Sequence, residues 1–142
     1  MEIKHSFIVV DDSELDRFII RKVIEHFDKS LHVETYQSAE HALDAIRENK
    51  DGELKLPAII LLDIHIPLMN GFEFIEEFEK LEGEIRDNYT IVVLSILLSV
   101  TNPVGIHNKL KNGTIHSVLD KPLTLEKLSS LLTRIKSTES IK

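Results

Sequence analysis

Apolar residues fall along the chain in short compact runs, each followed by a stretch where they recur three or four positions apart. Phe7-Ile8-Val9-Val10, Ala58-Ile59-Ile60-Leu61-Leu62 and Tyr89-Thr90-Ile91-Val92-Val93-Leu94 are such runs. Runs this short and this apolar suit strands buried on both faces. Leu31, Val33 and Thr35 alternate with His32, Glu34 and Tyr36, which predicts a half-exposed strand at a sheet edge. Ile115 to Leu119 is a last short strand. Between them, helices are predicted after the capping residues Ser13, Ser38, Asn102 and Thr124, and another after Asn70-Gly71. Ser13 followed three residues later by Asp16 resembles a capping box. The expected core faces are Leu15, Phe18, Ile19, Val23 and Phe27 in the first helix and Ala39, Ala42, Leu43 and Ile46 in the second. Phe74, Phe78, Leu81 and Ile85 belong to the third, and Leu125, Leu128, Leu132 and Ile135 to the last. Pro67 breaks the chain, Pro103 opens the weakly amphipathic fourth helix and Gly113 can end it.

Strand and helix thus alternate five times. Alternation with buried strands predicts an α/β fold, a doubly wound five-stranded parallel sheet with helices on both faces, a three-layer sandwich. Residues 1–142 read as a single domain, with a core over about 5–136 and a short polar tail at 137–142. In such sheets ligands bind beyond the carboxyl ends of the strands.

Composition narrows the function. The chain has no Cys, which excludes thiolate metal sites and a cysteine nucleophile. Its 24 acidic and 17 basic side chains give a net charge of −7, against broad contact with nucleic acid or anionic lipid. No run approaches a membrane span or a signal-peptide core, so a cytoplasmic protein without a membrane partner is expected.

The candidate chemistry collects at the strand ends. Asp11 and Asp12 follow the first strand, Asp63 the third, Ser95 the fourth and Lys121 the fifth. In a parallel sheet these ends face one way, so three carboxylates, a hydroxyl and an ammonium converge. Three close carboxylates repel unless a cation joins them, and an oxygen-only donor set points to Mg²⁺ or Mn²⁺. Lys121 and Ser95 suit phosphoryl oxygens, and a carboxylate between metal and Lys could itself form an aspartyl phosphate. Glu14 and Asp16 read as first-turn helix charges. Glu76, Glu77 and Glu79 read as a solvated helix face, and His5, His26, His32, His41, His107 and His116 show no metal-ligand spacing.

Val10-Asp11-Asp12-Ser13, then Leu62-Asp63-Ile64-His65-Ile66-Pro67-Leu68-Met69-Asn70-Gly71-Phe72-Glu73, Leu94-Ser95 and Leu119-Asp120-Lys121-Pro122-Leu123 together resemble the receiver domain of two-component response regulators. All four pieces stand in order, each at a strand end. The resemblance implies a flavodoxin-like sheet of order 2-1-3-4-5, and Asp63 as phosphoacceptor from a histidine kinase or a histidine phosphotransfer protein. It implies Asp12, Asp63 and the backbone carbonyl of His65 as direct metal ligands, Asp11 through water, Ser95 and Lys121 on the phosphoryl oxygens, and a cis peptide before Pro122. A phosphoprotein that labels itself from small donors and sheds the group by itself, with Mg²⁺, is implied rather than a dedicated enzyme.

Two positions depart from that pattern. Ile96 stands where the family places a small residue, and Val118 where it places Tyr or Phe. The stretch from Ser95 to Lys121 is also a few residues longer than usual. The leading expectation is a stand-alone receiver that switches protein–protein interactions, its downstream target unnamed. The competing readings are a phosphorelay shuttle and a phosphate-independent pseudo-receiver adaptor. A haloacid-dehalogenase-type phosphatase would need a second Asp where His65 stands.

Overall fold

A computed structural model describes residues 4–49, 54–66, 68–96 and 103–141. The expected break at Pro67 and the cap at Asn102 lie outside the described residues. The elements run β1 (Ser6–Val10), α1 (Glu14–Phe27), β2 (Val33–Tyr36), α2 (Ala39–Arg47), β3 (Ala58–Leu62) and α3 (Gly71–Glu79). They continue with α4 (Gly83–Arg86), β4 (Tyr89–Ser95), α5 (Pro103–Lys111), β5 (Ile115–Asp120) and α6 (Leu125–Ile141). The five strands pair in parallel in the order β2-β1-β3-β4-β5. This is the doubly wound sheet of the sequence reading, with β2 at an edge.

The sheet divides the core by the two-residue period of its strands. Phe7, Val9, Ile59, Leu61, Val92 and Leu94 meet Ile20 and Ile24 of α1 and Leu128, Leu131 and Ile135 of α6 on one face. Ile8, Val10, Ile60, Leu62, Ile91 and Val93 meet α2, α3 and α5 on the other. β1 and β3 are buried at every residue, which is why their sequence shows no polar alternation.

Three helices differ from expectation. In α1 the buried residues are Ile20 and Ile24, while Leu15, Phe18, Ile19 and Phe27 are exposed. The helix carries two apolar stripes, and only the one containing Ile20, Val23 and Ile24 meets the sheet. The single helix expected through Phe74 and Ile85 is two, α3 and the short α4, with Leu81 and Ile85 still packed against the core. Gly83 sits at the start of α4, where its low helix propensity favours an interruption. Finally α6 runs to Ile141, so the stretch expected as a polar tail is helical up to that residue. It contains no Gly or Pro to stop it.

The expected caps at Ser13, Ser38 and Thr124 are present, though Ser13 and Asp16 do not close the full capping box. Ser13, Ser38 and Thr124 each accept from a backbone N–H of the first turn, and Asn70 forms a full capping box with Glu73. Gly113 takes a positive φ of 88° just past α5. No helix among the described residues is long and apolar enough to cross a membrane.

Candidate functional site

The ladder hydrogen bonds bring the acidic ends together. Val10 pairs with Leu62, and the N–H of Asp63 donates to the Val10 carbonyl at 3.0 Å. Asp11 and Asp63 therefore leave adjacent central strands side by side. β4 runs further: Leu62 lies opposite Val93, so Ser95 extends two residues beyond that pair. Ser95 in turn pairs with Asp120 of β5, and the Lys121 N–H donates to the Ser95 carbonyl at 3.0 Å. The overhang lets Ser95 and Lys121 reach back over Asp63.

Every atom of the Asp63 carboxylate is engaged. Oδ1 accepts from Ser95 Oγ at 2.8 Å and from the His65 N–H at 3.0 Å. Oδ2 accepts from Lys121 Nζ at 3.0 Å. Asp63 and Ser95 are buried. The Asp11 carboxylate, also buried, accepts from the Ser13 N–H at 2.9 Å through Oδ1. Its Oδ2 forms an ion pair with Lys121 Nζ at 2.7 Å. Arg17 Nη1 fastens the Asp11 carbonyl at 2.7 Å. Burial raises the Asp11 carboxyl above the usual range, against the pull of Lys121 and the Ser13 N–H. For Lys121 burial acts downward, but its interactions with Asp11, Asp16 and Asp63 outweigh it and hold the ammonium above the usual lysine range.

The structure thus joins Asp11, Asp63, Ser95 and Lys121 directly. Asp12 is exposed, and one oxygen from each of Asp11, Asp12 and Asp63 lies within 4.8 Å of the others. Three hard oxygen donors at that spacing fit a Mg²⁺-type cation, which keeps part of its water shell. The His65 side chain points to solvent, leaving only its backbone at the site. The Lys121–Pro122 bond is cis, as is Leu56–Pro57. Ile96 is 56% exposed beside Ser95, and Val118 is half-buried against the core on the α2, α3 and α5 face.

Two acids have partners beyond their expected roles, Asp16 as a first-turn helix charge and Glu79 as part of a solvated helix face. Asp16 places Oδ2 2.8 Å from Lys121 Nζ. The only signal for it was the incomplete capping box: the Ser13 N–H is taken by Asp11, which frees the Asp16 carboxylate. Glu79 is clasped by Lys109 of α5, by Thr114 Oγ1 at 2.7 Å and by Asn112 Nδ2 at 3.5 Å. Its carboxyl is held low because these partners outweigh the effect of burial, which acts upward.

Gly71 closes the loop after Asp63, its N–H donating to the Ile64 carbonyl at 3.0 Å. A Cβ there would stand 2.6 Å from the Asp63 carbonyl oxygen and 2.7 Å from Ile64 Cα. Both are backbone atoms that cannot turn away. Gly71→Ala is therefore expected to destabilise by about 1–3 kcal/mol, as overpacking does, although helix propensity alone favours Ala by about 1 kcal/mol. Urea unfolding measures the sign, and a more stable variant contradicts the clash.

Comparison with known proteins gives the family and the fold. The family model for the response regulator receiver domain matches residues 7–133. A response regulator receiver protein from Dyadobacter fermentans is 31% identical, with a TM-score of 0.74, covering 92% of this chain and 97% of that one. A two-component response regulator from Cytophaga hutchinsonii superposes with a TM-score of 0.79 at 22% identity, covering 96% and 99%. The protein named "Probable methanogenesis regulatory protein FilR2" of Methanothrix harundinacea is 25% identical over 138 residues, 96% of this chain and 85% of its own. Other curated relatives, among them a sensor histidine kinase, are far longer, and the chain spans 7% to 19% of their lengths.

Proposed function

The chain belongs to the response regulator receiver domain family, a component of two-component systems, and on that premise we propose that Asp63 accepts a phosphoryl group from a histidine kinase or a histidine phosphotransfer protein. The observation that carries the reading is the clasp on Asp63: Ser95 on one carboxylate oxygen, Lys121 on the other, with Asp11 and Asp12 alongside. One Asp63 oxygen attacks phosphorus. A P–O bond forms as the P–N bond of the donor phosphohistidine breaks, and its electron pair returns to the imidazole. Ser95 and Lys121 then donate to the phosphoryl oxygens, stabilising charge as it arrives. A divalent cation held by Asp11, Asp12 and Asp63 would neutralise further charge on the transferred group.

The consequence of phosphorylation is a shift in a two-state equilibrium that changes a protein-binding surface. Val118 offers no ring to turn inward, and a β-branched side chain is stiff at χ1. The readout therefore rests on Ser95 moving toward the phosphoryl group and on α5 beyond it, with Ile96 limiting water at the pocket mouth. Autophosphorylated histidine kinases of the same organism, radiolabelled and mixed with the protein, test the assignment. Rapid label transfer from one of them, stable afterwards, is the expected result. Onward passage to a second phosphotransfer histidine favours the relay shuttle. No transfer from any kinase favours the phosphate-independent adaptor.

A further inference from the structure

We infer that Asp16 is a positioning residue for phosphoryl transfer: it holds the Lys121 ammonium over the phosphoacceptor when Asp11 and Asp63 turn to other partners. This deepens the proposal that Asp63 is phosphorylated and rests on it.

The main chain around Lys121 is fixed. Its N–H is bonded to the Ser95 carbonyl, and Lys127 Nζ donates to the carbonyls on either side, Asp120 at 2.8 Å and Pro122 at 2.9 Å. What remains free is a four-carbon stem ending in a charge, which has many rotamers to lose. The head meets three carboxylates, Asp11 at 2.7 Å, Asp16 at 2.8 Å and Asp63 at 3.0 Å. Two of its three N–H donors make hydrogen bonds, to Asp16 and Asp63, while Asp11 Oδ2 stands against it as a buried ion-pair partner without a hydrogen bond of its own.

The three partners are not equivalent. Asp11 and Asp63 belong to the oxygen cluster with Asp12 that can hold a cation, and Asp16 does not. A bound cation would take over the charge of Asp11, and phosphorylation takes one oxygen of Asp63 into an acyl phosphate, a mixed anhydride. Asp16 alone then keeps its claim on Lys121. The N–H groups that faced the other two stay pointed into the site, where the phosphoryl oxygens arrive. Asp16 is itself well held, in the first turn of α1 with its N–H on Ser13 Oγ at 3.2 Å. Its side chain is 35% exposed and that of Lys121 14%, so the pair works at the rim, where water competes but does not dominate.

The test is the rate of labelling by acetyl phosphate with saturating Mg²⁺, read by intact mass, on wild type, Asp16→Ala, Asp16→Asn, Lys121→Met and the double variant Asp16→Ala/Lys121→Met. Asp16→Ala should label roughly tenfold more slowly, the scale of one lost hydrogen bond to a charged group. Asp16→Asn, which keeps an acceptor oxygen in place, should fall between the two. The double variant should label no more slowly than Lys121→Met alone, since Asp16 acts through that ammonium. The rise in melting temperature on adding Mg²⁺ should be the same in Asp16→Ala and wild type. The inference is overturned by unchanged or faster labelling of Asp16→Ala, by an equal slowing of the Lys121→Met background, or by a lost Mg²⁺ response. A wild-type protein that takes no label overturns the reading of Asp63 and this inference with it. A labelled wild type beside an equally fast Asp16→Ala overturns this inference alone.

Discussion

Replacing Asp63 by Asn removes the phosphate adduct that acetyl phosphate and Mg²⁺ leave on the protein. The variant keeps its fold because Asn retains the oxygen that accepts from Ser95 and from the His65 N–H. The other position changes from an acceptor of the Lys121 N–H to an amide donor, but Lys121 keeps Asp11 and Asp16. What is lost is the anionic nucleophile. The neighbouring carboxylates do not replace it. Asp11 is buried, with Oδ1 on the Ser13 N–H and Oδ2 against Lys121, and Asp12 is exposed at the rim. Intact mass with and without donor reads the outcome. Labelling of Asp63→Asn to the wild-type extent would move the phosphoacceptor elsewhere.

That prediction was already within reach of the sequence, because the residues it uses sit at the ends of strands whose runs are unmistakable. Phe7 to Val10 and Ala58 to Leu62 are apolar throughout because both faces are covered, and a buried strand leaves its following acid in a fixed place. Parallel order then brings Asp11, Asp63, Ser95 and Lys121 to one edge. Other features depend on tertiary contacts that no local pattern encodes. The first helix has apolar residues at 15, 18 and 19 as well as at 20, 23 and 24, and periodicity alone selects neither stripe. The stripe left outside, with Leu15 and Phe18, was read as core. Asp16 looked like a helix-terminal charge because its partner Lys121 lies 105 residues away. Glu79 looked solvated because Lys109 and Thr114 come from another helix and the turn beyond it. In each case the local chemistry was correct and the pairing was supplied by the sheet.

Adding Mg²⁺ raises the melting temperature, and Asp12→Ala abolishes the rise. Asp11, Asp12, Asp16 and Asp63 gather four carboxylates near the ammonium of Lys121 and the guanidinium of Arg17, a formal charge of −2. Two unit charges at 4.8 Å, the outer limit of the spacing among these oxygens, repel by roughly 3.5 kcal/mol per pair at an effective dielectric near 20. A divalent cation relieves that repulsion only in the folded protein, where the three oxygens are together. At about ten times the dissociation constant the gain is about 1.4 kcal/mol, or roughly 5 °C for a chain of this size. NaCl at matched ionic strength separates site binding from general screening. Without Mg²⁺ the Asp12→Ala variant should melt no lower than wild type, since it loses one charge from a crowded cluster and no buried contact. With Mg²⁺ only the wild type should rise. An equal rise in both, or none in either, places the cation somewhere other than these three carboxylates.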